Sequence, residues 1–168
     1  MKTFYLFNIL LFIGCLPTID TYQLKNEIPN DKKVTIGTLD NGLTYYVHNN
    51  SKPENRIEML LVVNAGSVLE TDEQQGLAHF VEHMAFNGTK SFPKQEIVEY
   101  LETIGMDFGP DLNAYTSFDE TVYMLQVPSD NSEQLEKGFQ ILSEWAYYMS
   151  FENEEIDKER GVIVEEWR

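Results

Sequence analysis

The sequence predicts an α+β fold in which helices pack on one face of a mostly antiparallel sheet. Segments with the apolar patterns of strands are interleaved with segments of helical periodicity, rather than grouped apart along the chain. Hairpin-type turn signals join neighbouring strands, which makes antiparallel pairing the expected arrangement. The length of 168 residues is that of one domain.

Five segments have strand patterns, and they are residues 34–39, 43–48, 56–63, 112–116 and 120–127. The first two flank Asp40-Asn41-Gly42, a turn signal that predicts a hairpin. The third reads RIEMLLVV and is predicted to be a buried strand. The last two flank Ser117-Phe118-Asp119 and are expected to pair with each other.

Four helices are predicted, at residues 75–86, from Pro93 to about 104, at 132–149 and from 152 to the chain end. Asn87-Gly88 ends the first helix with residue types favoured where the backbone turns left-handed. Pro93 suits the first turn of the second helix, and Gly105 suits its end. Ile97 and Leu101 are on the apolar stripe of that second helix.

The N-terminal residues have the pattern of a targeting segment. An apolar run from Phe4 to Ile13 is too short to span a bilayer but fits a signal peptide. Cys15 follows closely, as in a bacterial lipoprotein signal, although Phe12 stands where leucine is usual. We predict that residues 1–19 direct export to the periplasm or cell envelope, with Cys15 a candidate for lipidation and a lipid anchor.

The composition limits the classes of partner. The net charge of −16 argues against nucleic acid or an anionic membrane surface and is compatible with cationic substrates. Cys15 is the only cysteine, so the rest of the chain has no thiol nucleophile. Residues 20–32 are polar and are predicted to be a loose lead-in to the folded part.

The motif H-x-x-E-H lies in the first predicted helix, as His79-Phe80-Val81-Glu82-His83. Residues three and four apart lie on one helix face, so both imidazoles and the carboxylate project together. Two neutral nitrogen ligands and a base for bound water are what a hydrolytic zinc site needs. A solvated helix face is the alternative, but the neighbouring residues are apolar, and buried ionisable groups need partners. The third histidine, His48, is predicted to be at the surface.

A third ligand must come from elsewhere in the chain. Catalytic zinc usually takes three protein ligands, and without a thiol a carboxylate is expected. The last helix offers Glu159, Glu165 and Glu166. Glu159 and Glu166 share one face with Val162 and Ile163, whereas Glu165 points about a quarter-turn away. Glu165 is therefore predicted to be solvated. Surface charge is the alternative interpretation of all three glutamates, and spacing alone does not choose between Glu159 and Glu166.

Two segments resemble the pitrilysin-type zinc peptidases, which include insulin-degrading enzyme and the mitochondrial processing peptidase. Residues 76–89 read GLAHFVEHMAFNGT and are similar to the active-site helix of that family, and residues 159–166 read ERGVIVEE and are similar to its second motif. Residues 113–116, NAYT, are similar to the segment that borders the substrate cleft. The resemblance covers residues 33–168 and points to the bacterial, processing-peptidase-like branch.

The resemblance implies a role for each residue of the site. These are His79, His83 and Glu166 as ligands of one zinc ion, Glu82 as general base for the zinc-bound water, Glu159 as support outside the coordination sphere, and Asn113 and Ala114 as substrate contacts. The interval from His83 to Glu166 is longer than in the best-known members, and residues 107–111 are predicted to be a loop-like insertion there. Manganese or cobalt also suit such a ligand set.

The resemblance further implies a zinc endopeptidase that cleaves peptides or unfolded segments. The strand near Asn113 is predicted to offer an edge to which an extended peptide adds by backbone pairing, and because such pairing depends little on side chains, broad specificity is expected. Enzymes of this family are built from homologous α/β domains in two halves that close around the peptide. Residues 33–168 are therefore expected to be the N-terminal, incomplete part of a zinc peptidase domain, with a second homologous domain or a partner subunit. The alternatives are a non-catalytic family member that acts as a structural or peptide-binding subunit, and metal storage, which would not require Glu82.

Overall fold

The structure is a computed structural model that describes residues 29–166 and 168. The predicted export segment at residues 1–19, including Cys15, lies outside these residues. No described helix is both long and apolar enough to cross a bilayer. The chain divides into two compact units, residues 1–49 and 50–168. We describe each unit by itself.

The first unit contains the predicted hairpin. Strands β1 (Val34–Thr38) and β2 (Thr44–His48) pair antiparallel, with Ile36 opposite Tyr46. Gly42 has φ +88°, which is the left-handed conformation that the turn requires. The predicted hairpin is therefore confirmed, and His48 is exposed at the end of β2.

The second unit contains three strands and four helices. They are β3 (Arg56–Val63), α1 (Leu77–Met84), α2 (Glu96–Thr103), β4 (Leu112–Thr116), β5 (Thr121–Pro128), α3 (Ser132–Tyr147) and α4 (Asn153–Glu166). Two short 3-10 turns, residues 67–69 and 72–74, lead into α1. Every predicted element is present, with shifts of a few residues at the ends.

The three strands form an antiparallel sheet with β5 at its centre, in the order β3-β5-β4. Met59 of β3 faces Leu125 of β5, and Ala114 of β4 faces Tyr123. One face of the sheet packs on the helices. The buried core on this side includes Met59, Ile97, Leu101, Tyr123, Leu125, Val127, Ile141 and Trp145. This is the α+β arrangement predicted from the sequence.

The prediction that β3 is a buried strand was only half right. Met59 is buried, but Leu60 and Val62 on the other face are 59% and 51% exposed. Successive strand residues point to opposite faces, and in this unit helices cover only one of them. A continuous apolar run does not reveal this, because it has no period-2 signal.

The prediction for Pro93 was wrong. Helix α2 begins at Glu96, and Pro93 instead forms an isolated antiparallel bridge with Gly88. Lys94 then adopts φ +55°, which interrupts any helix before it starts. A bridge within the loop after α1 therefore overrides the preference of proline for a first helical turn.

Helix α3 holds the C-terminal end of α1 in place. The Trp145 indole donates a hydrogen bond to the Ala85 carbonyl (3.0 Å). The Glu144 carboxylate accepts hydrogen bonds from the Ser91 hydroxyl (2.7 Å) and the Ser91 backbone N–H (3.2 Å). Both anchors are buried at their α3 end. They fix the helix that carries the H-x-x-E-H motif against the core.

Protonation of Glu144 is expected to weaken this anchor. Burial by itself raises the pKa of the Glu144 carboxyl, but hydrogen bonds from Ser91 and the nearby Lys90 ammonium outweigh burial and hold the pKa below its ordinary value of 4.5. A lowered folded-state pKa gives stability that is present above about pH 4.5 and lost as the pH falls through the folded pKa. Glu144→Gln should therefore lower the free energy of unfolding by about 1–3 kcal/mol at pH 7.

The measurement is urea unfolding of the parent and of Glu144→Gln between pH 7 and pH 3. The difference in unfolding free energy should stay constant down to about pH 5 and then shrink, because protonation removes the same charge that the substitution removes. A difference that does not change with pH would contradict this assignment.

Candidate metal centre

The start of α1 is fixed by a carboxylate from the preceding loop. Gly76 takes φ +86° before the helix and provides no side-chain cap. Glu70 replaces that cap, because its two oxygens accept hydrogen bonds from the backbone N–H groups of Gly76 (2.8 Å) and Ala78 (2.7 Å). A negative charge at a helix N-terminus is also favourable to the helix dipole. The first turn of α1, which precedes His79, is thereby held.

The two motif histidines face each other. The Nε2 atoms of His79 and His83 are 3.1 Å apart. Glu166 Oε2, from α4, lies 3.5 Å from each of them. Ligand atoms of these three residues all lie within 4.8 Å of one another, the only group of at least three His, Cys, Asp or Glu side chains that meets this criterion in residues 29–166 and 168.

This spacing fits a zinc ion. Zinc–ligand distances of about 2.0–2.2 Å in a tetrahedral arrangement place the ligand atoms roughly 3.3–3.5 Å apart. The donor set of two imidazole nitrogens and one carboxylate oxygen is also one that zinc accepts, with a fourth position left for water or substrate. The three side chains could therefore hold the metal with little rearrangement.

A second glutamate of α4 lies behind His83. Glu159 Oε1 is 2.7 Å from His83 Nδ1, and Glu159 Oε2 accepts a hydrogen bond from the Asn87 amide (2.6 Å). A carboxylate partner places the ring proton on Nδ1, which leaves the lone pair of Nε2 directed at His79 and Glu166. This is the tautomer that a metal ligand needs.

The geometry separates the three glutamates that the last helix offers as a third ligand. Glu166 lies beside the histidine nitrogens and is 46% exposed at its side chain. Glu159 is bonded to His83 on the far side of the ring. Glu165 points to solvent and pairs with Arg168 (2.7 Å). The quarter-turn between Glu165 and the shared face of α4 accounts for this difference.

Glu82 is next to the three side chains but is bonded differently. It is 7% exposed, and its Oε2 accepts a hydrogen bond from the Thr116 hydroxyl of β4 (2.6 Å). Burial and the nearby charge of Glu82 raise the pKa of the Tyr123 phenol, so that this group stays protonated. The bond from Thr116 holds the Glu82 carboxylate in a fixed orientation at the wall of the site.

A cavity of about 490 Å³ opens beside these residues. Its walls include the metal-binding candidates, apolar side chains such as Phe86, Val98 and Phe108, and the β4 residues Asn113 and Ala114. The Asn113 amide donates to the Gly109 carbonyl (3.3 Å), and its Oδ1 accepts from the Ala114 N–H (2.9 Å). The segment predicted to border a substrate cleft therefore lies at this cavity, and residues 107–111 form the loop beside it.

Glu70 and Thr116 were missed as supporting residues. Glu70 lies six residues before Gly76, outside the local spacing of a capping box. Thr116 reaches Glu82 only through the sheet register, which no local pattern reveals. Asn87 was interpreted as a helix terminator, and its bond to Glu159 spans 72 positions. Only the i, i+3, i+4 spacing of α1 and α4 gave a signal from sequence.

Comparison with known proteins identifies the family of the chain. The family model for insulinase, peptidase family M16, matches residues 45–168. The chain is 47% identical over 143 residues to the probable zinc protease PqqL of Haemophilus influenzae, which covers 85% of this chain and 15% of that protein. It is 48% identical over 149 residues to a zinc protease PQQL-like protein of Arabidopsis thaliana, and this match covers 87% of this chain and 16% of that protein.

Solved structures give the same relationship. The first half of the periplasmic protease PqqL from Escherichia coli matches with a TM-score of 0.81 and 46% identity, covering 84% of this chain and 30% of that one. The chain thus spans about 15% of the length of the curated relatives that it matches. From the family match and these identities, the chain belongs to the insulinase family, peptidase family M16.

Proposed function

We propose that this chain is the N-terminal part of a zinc endopeptidase that hydrolyses peptides or unfolded protein segments. The observation that carries the proposal is the convergence of His79, His83 and Glu166 beside the buried carboxylate of Glu82. The relatives' names as zinc proteases support the same class of activity. The metal is assigned to these three side chains, with Glu159 orienting His83 from behind.

Glu82 acts in this proposal as the general base and then as the general acid. Bound zinc would polarise the scissile carbonyl and lower the pKa of water. The Glu82 carboxylate accepts a proton from the attacking water and donates it to the leaving amine nitrogen. The role requires a carboxylate that is close to the metal group yet not bonded to it, and Glu82 meets both conditions.

Beyond Leu112, the edge of β4 that faces away from β5 has no strand partner among the described residues, and it offers a place for an extended peptide. At Leu112 this edge is bridged by Phe108, and the Leu112 carbonyl accepts a hydrogen bond from the Gly109 N–H (2.8 Å). Gln126 N–H donates to the Asp111 carbonyl (2.7 Å), so in an antiparallel ladder Asn113 and Tyr115 also bond toward β5. Ala114 then directs its backbone groups away from β5, and its N–H is held by Asn113 Oδ1. A substrate carbonyl replacing Oδ1 would add a strand to the sheet. Such pairing uses backbone groups and depends little on the side chains of the substrate, so broad specificity is expected.

The cellular location follows from the same relationship. We infer export to the periplasm or cell envelope, because the Escherichia coli relative is a periplasmic protease and residues 1–19 have the pattern of an export signal. Lipidation at Cys15 is a separate proposal that rests on the sequence alone. Mass spectrometry of the exported protein tests it, since a diacylated Cys15 would be the first residue of the mature chain.

Peptidase activity is expected to depend on sequence beyond residue 168. The chain spans about 15% of its relatives, and closure of a complete chamber is needed to exclude water from the reaction. Glu166 is the last residue of α4, and the ends of helices fray. We expect the isolated segment to bind zinc below full occupancy and to show little or no turnover of a quenched peptide.

The experiment compares this segment with the complete protein that contains it. Addition of the native downstream sequence, or of a separately encoded partner half, should restore turnover, and a chelator should abolish it. A zinc-loaded complete protein that binds peptide without cleaving it would support the non-catalytic alternative. Efficient chelator-sensitive hydrolysis by residues 1–168 alone would contradict the need for a second half.

A further inference from the structure

The Thr116 hydroxyl donates its proton in a hydrogen bond to the Glu82 carboxylate. Thr116 Oγ1 lies 2.6 Å from Glu82 Oε2, a short bond to a carboxylate that is 7% exposed. No other hydrogen bond to this carboxylate is formed within the part of the chain that the structure describes. Removal of the hydroxyl would therefore leave a nearly buried carboxylate oxygen without its donor.

The sheet register holds that hydroxyl in place. Thr116 of β4 is directly opposite Thr121 of β5, and their Oγ1 atoms are 3.4 Å apart. Thr121 is 5% exposed and donates its own proton to the Ala65 carbonyl (2.9 Å). Thr121 therefore has no proton to give to Glu82, and the proton of Thr116 takes the shorter, charge-assisted bond to the carboxylate.

The bond also joins two elements that the proposed reaction must keep in register. Glu82 is carried by α1, whereas Thr116 is two residues after Ala114 on β4, the strand whose outer edge borders the cavity. A peptide that pairs with this edge is placed by the β4 backbone. Because the Thr116 hydroxyl is on the same strand and holds Glu82, it fixes the distance between the base and the peptide.

We propose that Thr116 is a positioning residue for the general base. Its hydroxyl occupies Oε2 of Glu82, locks the carboxylate relative to β4, and leaves Oε1 to exchange the proton with water and the leaving amine. The inference rests on the proposed endopeptidase function. Because a displaced base of this kind loses rate rather than substrate affinity, the effect should fall on kcat and not on KM.

The test uses three variants of the complete, zinc-loaded protein. Thr116→Val keeps the branched shape of the side chain but removes the donor, and kcat for a quenched peptide should fall about 10-fold or more, with KM and zinc content unchanged. Thr116→Ser restores a donor and should recover most of that rate. Thr103→Val is the matched control, since it makes the same substitution at an exposed threonine of α2 whose hydroxyl bond (2.6 Å to the Tyr100 carbonyl) does not reach Glu82 or the cavity.

A double-mutant comparison separates positioning from general damage. In a Glu82→Gln background the base is already lost, so Thr116→Val should cause no further fall in kcat. An equal further fall there, or a Thr116→Val enzyme as fast as the parent, would overturn the inference while leaving the endopeptidase function intact. A parent without zinc-dependent turnover would instead overturn the function.

A crystal structure of Thr116→Val tests the positioning role without any activity measurement. The Glu82 carboxylate should occupy more than one conformation or move away from β4, whereas in the parent it should have one. A single unmoved conformation in the variant would show that the hydroxyl does not hold the base. This outcome counts against the inference whether or not the parent cleaves peptides.

Discussion

Replacing Glu82 with glutamine is expected to lower kcat by a factor of about 10² or more in the complete protein, while zinc content and peptide affinity stay at the parental level. Glutamine has nearly the same shape and can still accept the hydrogen bond from Thr116, but it cannot take up a proton at neutral pH. The side chain is outside the proposed ligand set, so the metal should remain. Elemental analysis, peptide binding and quenched-peptide turnover measure the three quantities.

Glu155→Gln is the control for this substitution. Glu155 is 8% exposed, close to the 7% of Glu82, but its bond is to Lys158 and it does not line the cavity. Its substitution removes an equally buried charge and should leave kcat within a few-fold of the parent. If Glu82→Gln turns over peptide nearly as fast as the parent, another group is the base and the proposed mechanism fails.

Loss of either motif histidine is expected to abolish tight zinc binding. His79→Ala and His83→Ala each remove one of three ligand atoms that lie within 4.8 Å of one another. Glu166→Gln removes the charge of the third ligand and should weaken the affinity strongly. Competition against a chelator of known affinity, carried out on the complete protein, gives the dissociation constants, and the complete parent should hold about one zinc per chain.

Substitutions of two further glutamates of α4 provide reference values for the zinc affinities of these ligand variants. Glu159→Gln changes the partner of His83 Nδ1 and of the Asn87 amide but leaves the three ligands in place, so it should weaken zinc binding by about 10- to 100-fold. Glu165→Gln is the matched control, because Glu165 points to solvent and pairs with Arg168. A larger loss from Glu165→Gln than from Glu166→Gln would show that the register of α4 is wrong. A parent that takes up no zinc at all would refute the site.

Sequence patterns predicted correctly those elements whose conformation is set by their own residues. The hairpin of β1 and β2 follows from Asp40-Asn41-Gly42, since a two-strand turn is decided by the conformations of its own residues. The start of α2 did not follow, because Pro93 is paired with Gly88 instead. The prediction that β3 is buried on both faces failed for a different reason. Which face is covered depends on where helices far along the chain pack.

The sequence by itself determined the face that carries the proposed chemistry. Helical geometry places residues three and four apart on one side, so His79, Glu82 and His83 had to project together, and Glu159 had to share a face with Glu166. These relations need only the rise and pitch of one helix. The α+β class followed in the same way from the order and period of the apolar segments.

Only the tertiary structure decided how those faces meet. The approach of α4 to α1 places Glu166 beside both histidines and Glu159 behind His83, a choice between two glutamates of one helix face that spacing within α4 could not make. The bond from Thr116 to Glu82 spans 34 positions and depends on the register of β4. Contacts of this kind are set by packing between distant segments, and a local sequence pattern does not predict that packing.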